Sequence, residues 1–147
     1  MKALLAALTL ACAAGAAHAE VQNYDCKLHS MEARGWIPGR VLVSVDADAK
    51  QARVYDGAIR SSNELANVPD ETPAKAKLKV TRKGEYRMSW RINLMASSSG
   101  QLRVAYTATI DPKTNAFKML ASFPQANTLN RPSGVGSCKV VSSPNLF

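Results

Sequence analysis

Apolar and polar residues alternate with period two across residues 86–121, the clearest pattern in the chain. Tyr86, Met88, Trp90, Ile92 and Leu94 interleave with Arg87, Ser89, Arg91 and Asn93. Leu102, Val104, Tyr106, Ala108 and Ile110 repeat the alternation, and Phe117, Met119 and Ala121 form a third run. Side chains on a strand point to opposite faces in turn, so this period predicts strands with one dry and one wet face. Turn residues separate the three runs, which predicts an antiparallel meander. A three-residue loop at Ser98, Ser99 and Gly100 sets Leu94 opposite Val104, Ile92 opposite Tyr106, Trp90 opposite Ala108 and Met88 opposite Ile110, with Arg87 meeting Asp111. A four-residue loop at 112–115 sets Ile110 opposite Phe117, Ala108 opposite Met119 and Tyr106 opposite Ala121. Each apolar residue then meets an apolar partner.

Weaker alternations extend the pattern in both directions. Residues 21–28 read as a first strand carrying Cys26. Residues 31–39 hold Gly35, Pro38 and Gly39 and read as irregular, with Trp36 anchoring them to the core. Residues 41–46 and 52–56 form a hairpin in which Val43 lies opposite Val54 and Leu42 opposite Tyr55. Residues 57–73 are the longest connection, a lid or a plain Ω-loop. Ser61 or Ser62 is positioned to cap one helical turn at 63–66, before Pro69 and Pro73 exclude a longer helix. Residues 74–81 put Lys75, Lys77 and Lys79 on one face, which suits a solvated or edge strand. Residues 135–141 read as a last strand carrying Cys138, and 142–147 as a frayed tail. About seven or eight short strands result. The expected fold is all-β, a small antiparallel meander closing into a barrel, with a β-sandwich as the alternative.

The N-terminus changes the picture of where the chain works. Lys2, a short apolar stretch and Ala17-His18-Ala19 fit a cleaved secretory signal over residues 1–19. Lipidation at Cys12 is the rival, but Thr9 stands where a lipoprotein signal needs Leu. The apolar stretch is too short to cross a bilayer. Residues 20–147 then make one domain, periplasmic or secreted, with two cysteines. In an oxidising compartment Cys26 and Cys138 are expected to pair and to tie the first strand to the last. A membrane-spanning barrel shares the strand period with its apolar face turned outward. Short strands and few aromatics argue against it. Phe147 resembles the terminal residue of outer-membrane barrels, yet Pro144 and Asn145 interrupt the alternation such strands show.

Charge then narrows the partners. The formal net charge is +8, and removal of Lys2 with the signal leaves +7. A basic surface favours anionic partners, and solubility alone is the plain alternative. The registers send Arg87, Arg91, Arg103 and Lys118 to the wet side, and Lys75, Lys77 and Lys79 continue it if their strand neighbours residues 86–94. The central aromatics all fall on the dry side, which argues against single-stranded nucleic acid.

Catalytic chemistry has little to stand on. His29 is the one histidine after residue 19, and no Gly-x-Ser-x-Gly elbow accompanies it. Paired cysteines leave too few ligands for a Cys/His zinc site. The acidic pair Asp46/Asp48 falls at a solvated hairpin tip, where Asp is a common turn former, and Asp70/Glu71 falls in the long connection. No cofactor is implied. The expected function is therefore a non-enzymatic binding domain. It holds a lipid headgroup, a glycan or an acidic protein on a basic face made by Lys75, Lys77, Lys79, Arg87, Arg91, Arg103 and Lys118. The alternative is a lipocalin-like carrier with a small apolar ligand among Trp36, Met88, Trp90, Tyr106, Phe117 and Met119. A hydrolase using His29 or an acidic pair ranks last.

Overall fold

The computed structural model describes residues 20–32, 34–97, 100–126 and 131–147. Residues 1–19, which hold Cys12 and the expected signal, and the loop serines Ser98 and Ser99, lie outside them. Eight strands are hydrogen-bonded in sequence order and the first meets the last: β1 (Gln22–Ser30), β2 (Arg40–Asp46), β3 (Gln51–Asp56), β4 (Ala74–Val80), β5 (Tyr86–Ala96), β6 (Gly100–Ile110), β7 (Ala116–Ser122) and β8 (Ser133–Val141). The sheet is therefore a closed antiparallel barrel, as the alternation predicts, and not a sandwich. Helix α1 (Gly57–Ala66) lies between β3 and β4. It is too short to cross a membrane, and no longer apolar helix exists among the described residues.

The barrel is closed across β1 and β8. Cys26 and Cys138 are direct cross-strand partners there and form a disulfide 112 residues apart in sequence. Gly136 sits beside them, and a Cβ at that position would run into the Lys27 carbonyl. Only glycine lets the two backbones approach so closely. The apolar faces of all the strands turn inward. Tyr24, Val41, Val43, Val54, Met88, Val104, Tyr106, Ile110, Phe117 and Met119 are all buried. Eight strands leave an interior just wide enough for side chains to fill.

Two of the expected hairpin registers hold. Val43 faces Val54, Leu42 faces Tyr55, Ile110 faces Phe117 and Tyr106 faces Ala121. The β5–β6 register is displaced by two residues. Trp90 faces Tyr106, Ile92 faces Val104, Met88 faces Ala108, and Arg87 faces Thr109 in place of Asp111. Ala96 pairs with Gly100, whose φ is +71°, so the left-handed glycine begins the strand. A two-residue slip leaves every side chain on its expected face, so hydrophobic patterning could not detect it.

Two other expectations are corrected, and one pair of alternatives is resolved. The helix starts a full turn earlier than Ser61 would set it. Asp56 is the N-cap, its Oδ1 accepting from the Ile59 N–H at 2.8 Å, and Ile59 is buried beneath the helix. Asn67 ends the helix in the left-handed conformation, with its N–H donating to the Asn63 and Glu64 carbonyls. β4 is solvated but is no edge, because β3 and β5 both pair with it. Finally, the tail is packed. The Leu146 N–H donates to Ser44 Oγ at 3.0 Å, and the Phe147 ring lies 5.6 Å from the Arg53 guanidinium carbon. Under this strap Ser44 Oγ donates to Asn23 Oδ1 at 2.6 Å, which accounts for two buried polar side chains on the outside of the barrel.

Candidate functional site: a cationic face on β4–β7

The four strands β4–β7 contain Lys75, Lys77, Lys79, Arg87, Arg91, Arg103 and Lys118, and not one Asp or Glu. Each of the seven side chains is exposed. Strand pleating explains this placement: the cations occupy positions that alternate with Ala76, Leu78, Met88, Trp90, Ile92, Val104 and Phe117, all of which point into the barrel.

Pairing brings the cations close. Lys79 lies directly opposite Arg87. Arg87 lies opposite Thr109, and Thr109 opposite Lys118, so one rung crosses four strands carrying three positive charges. Arg53 of β3 lies opposite Lys75 and extends the face by a fifth strand. Like charges directly opposite one another destabilise a sheet, by roughly 0.2–1 kcal/mol on the usual scale for cross-strand pairs. None of the seven is in an ion pair among the described residues.

The acidic groups in the turns that flank β5 and β7 are engaged within those turns. Glu85 accepts from the Thr81 hydroxyl at 3.2 Å inside its turn. Asp111 accepts from the Lys113 N–H at 2.9 Å, and backbone and hydroxyl hydrogen bonds in that turn hold its carboxyl below the usual range. Elsewhere carboxylates stand beside the cations: Lys27 of β1 also lies directly opposite Arg40 of β2, but there an Asp side chain meets the pair. Arg40 donates to both oxygens of Asp25 at 2.9 and 2.8 Å, and that contact lowers the Asp25 pKa. Arg60 lies 3.7 Å from Glu64 and 3.5 Å from Asp70.

The apolar set separates into two places. Met88, Trp90, Tyr106, Phe117 and Met119 are packed inside the barrel, with Trp90 stacked on Tyr106 at 5.5 Å between ring centroids. Trp36 lies apart. Its ring meets Phe123 edge-on at 4.9 Å, while its carbonyl accepts from the Tyr106 hydroxyl at 2.9 Å. It opens onto a cleft of about 1360 Å³ at one barrel end, between α1, the segment around Pro38 and the end of β5. That cleft does not reach the five interior residues.

Comparison with protein-family models, curated proteins and solved structures finds no match.

The residues weighed for catalysis are scattered. His29 is exposed on β1, opposite Val135 of β8. Asp46 Oδ1 accepts from the Ala49 N–H at 2.8 Å and shapes its hairpin tip. Asp70 and Glu71 are exposed in the connection after α1. The group that sequence reasoning missed is Asp56. It is buried, one of its oxygens has no hydrogen-bond partner, and burial pushes its pKa up to about 6. Burial and the nearby Asp56 also raise the Tyr106 pKa. The signal for Asp56 is its place in the dry-face alternation of Ala52, Val54 and Asp56, since an acidic residue at a dry position must lose water when the chain folds and so shifts its pKa.

Proposed function

We propose that the protein is an exported domain that acts by binding an anionic partner on the β4–β7 face, without catalysis. One observation carries this reading: seven cations share four adjacent strands with no acidic residue, and two cation–cation pairs are set directly across the sheet. A solubilising surface needs net charge but gains nothing from placing like charges opposite one another. A negatively charged partner would relieve that repulsion. The disulfide points to an oxidising, non-cytosolic location, and the N-terminal signal pattern makes it periplasmic or secreted. The carrier alternative has less support, since its ligand would have to displace the interior side chains that now pack on one another.

Two triple variants with the same change in net charge test the reading. Arg87→Gln/Arg91→Gln/Arg103→Gln should lose most binding to heparin and to anionic vesicles, with retention in the wild type falling steeply as salt rises. Lys27→Gln/Arg131→Gln/Lys139→Gln should retain most of it. Equal losses in the two would mean that net charge alone is responsible, and the site would be abandoned. The first variant should also melt no lower than wild type, because Arg87→Gln relieves the contact with Lys79, and Arg91 and Arg103 are exposed, face Ala105 and Asn93, and are in no ion pair among the described residues.

A further inference from the structure

We infer that the anionic partner is a linear, flexible acidic polysaccharide that wraps around the barrel; this rests on the anion-binding reading above. The curvature of the wall selects such a partner. From Arg53 on β3 to Lys118 on β7 the cations occupy five neighbouring strands of a closed eight-stranded barrel. Each strand turns the surface by roughly 45° in a barrel of eight, so the charges spread over about half the circumference. A flat anionic surface touches a convex wall along one line. Set against the lysines of β4, it stands well away from Lys118, three strands further round, and salt screens the gap within about 8 Å. Duplex DNA meets the same obstacle, since it is stiff over roughly 150 base pairs. A flexible polymer meets no such obstacle, and the rung Lys79–Arg87–Thr109–Lys118 offers it a path across four strands.

The chemistry of the face selects among flexible polymers. The outward positions of β4–β7 include Ser89, Asn93, Gln101, Thr107, Thr109 and Ser122 besides the cations, and no aromatic residue. Single-stranded nucleic acid gains about 1–3 kcal/mol per base from aromatic stacking, and the outward positions of β4–β7 have no ring to supply it; the one ring at the margin, Phe147, lies against Arg53 at the β3 end. What remains is charge repeated along a chain, with hydroxyls and amides between the cations to meet polar sugar groups. Carboxylate or sulfate groups on a sugar backbone have that form.

The test uses the oxidised protein and four probes: a heparin dodecasaccharide, a thymidine oligonucleotide of equal charge, a DNA duplex, and vesicles containing phosphatidylglycerol. Two variants are compared with wild type, Lys77→Gln/Lys79→Gln on β4 and Lys118→Gln on β7. The dodecasaccharide should bind at least as tightly as the oligonucleotide, with log Kd rising by roughly 0.7 per log unit of salt for each charge engaged, hence by about 3 for four or more contacts. Both variants should weaken it, Lys118→Gln by about threefold or more. Vesicles should bind weakly and respond to at most one of the two variants. If vesicles or duplex bind more tightly than the dodecasaccharide, or Lys118→Gln leaves it unchanged, the wrapped polysaccharide is wrong while anion binding stands. An oligonucleotide that binds more than tenfold tighter has the same consequence. If no probe binds in a salt-dependent way, both readings fail together.

Discussion

Asp56 caps α1 and is buried at the same time, and these roles conflict once the carboxyl ionises. Burial is the larger effect and raises its pKa from 3.8 to about 6, while N–H groups of Ile59 and Ala58 partly offset it. The sign follows from proton linkage. Between about pH 4 and 6 the native state holds a proton that the unfolded chain has released, so the contribution of Asp56 to stability is full below about pH 4. It is lost as pH rises through about 6, and the displacement from 3.8 to about 6 corresponds to about 3 kcal/mol. Asn caps a helix as well as Asp and carries no charge. Asp56→Asn should therefore match or exceed wild type in denaturant unfolding at pH 7.5 and lose that advantage toward pH 4. A wild-type-minus-variant difference that stays flat with pH would show that the carboxyl is solvated. The alternation placed Asp56 on the dry face, but how fully it is desolvated depends on the helix and barrel end that the fold assembles around it.

At the scale of elements, α1 shows how a local signal can be present and still be misread. Ser61 and Ser62 are good capping residues, and Pro69 and Pro73 do stop the helix from reaching β4. Asp56 is an equally good cap, and what selects it is Ile59. This residue is 1% exposed, so the helix must begin early enough to turn Ile59 onto the barrel. Tertiary burial outweighs a choice between caps that differ by a fraction of a kcal/mol. Ile59→Ala should cost about 2–5 kcal/mol in a chemical denaturation curve, whereas Ser61→Ala should stay within about 0.5 kcal/mol. Comparable losses at the two positions would restore the later start. The β5–β6 hairpin makes the complementary point. Patterning assigned the face of every residue correctly, and the turn assignment placed the partners two residues off.

For the whole molecule, closure is the decisive event. A meander of eight strands has two free edges until β1 meets β8, and a closed barrel has none. The Cys26–Cys138 bond spans 112 residues, so it restricts nearly the whole unfolded chain, by about 4–5 kcal/mol in the chain-entropy account of so long a loop. The double variant Cys26→Ser/Cys138→Ser should unfold at clearly lower denaturant than the oxidised wild type, and reduced wild type should behave like it. Loss of stability well under 1 kcal/mol would mean that β1–β8 pairing and Gly136 hold the seam without the bond. Closure also creates the candidate site. β4–β7 on an open sheet would present their cations on a nearly flat face, whereas on a barrel the same residues are spread around a curved wall.

The amino-acid sequence by itself determined the all-β class, the inward and outward residues of nearly every strand, the cysteine pair and the side on which the arginines and lysines stand. Each of these follows from a period of two and a polarity contrast, both local properties. Only the tertiary structure decided the β5–β6 register, the start of α1, the burial of Asp56, the packing of the tail over Asn23 and Ser44, and the placing of Lys79 against Arg87. Those depend on which strands meet and how tightly, and a slip of two residues or a shift in a helix cap leaves the local pattern unchanged.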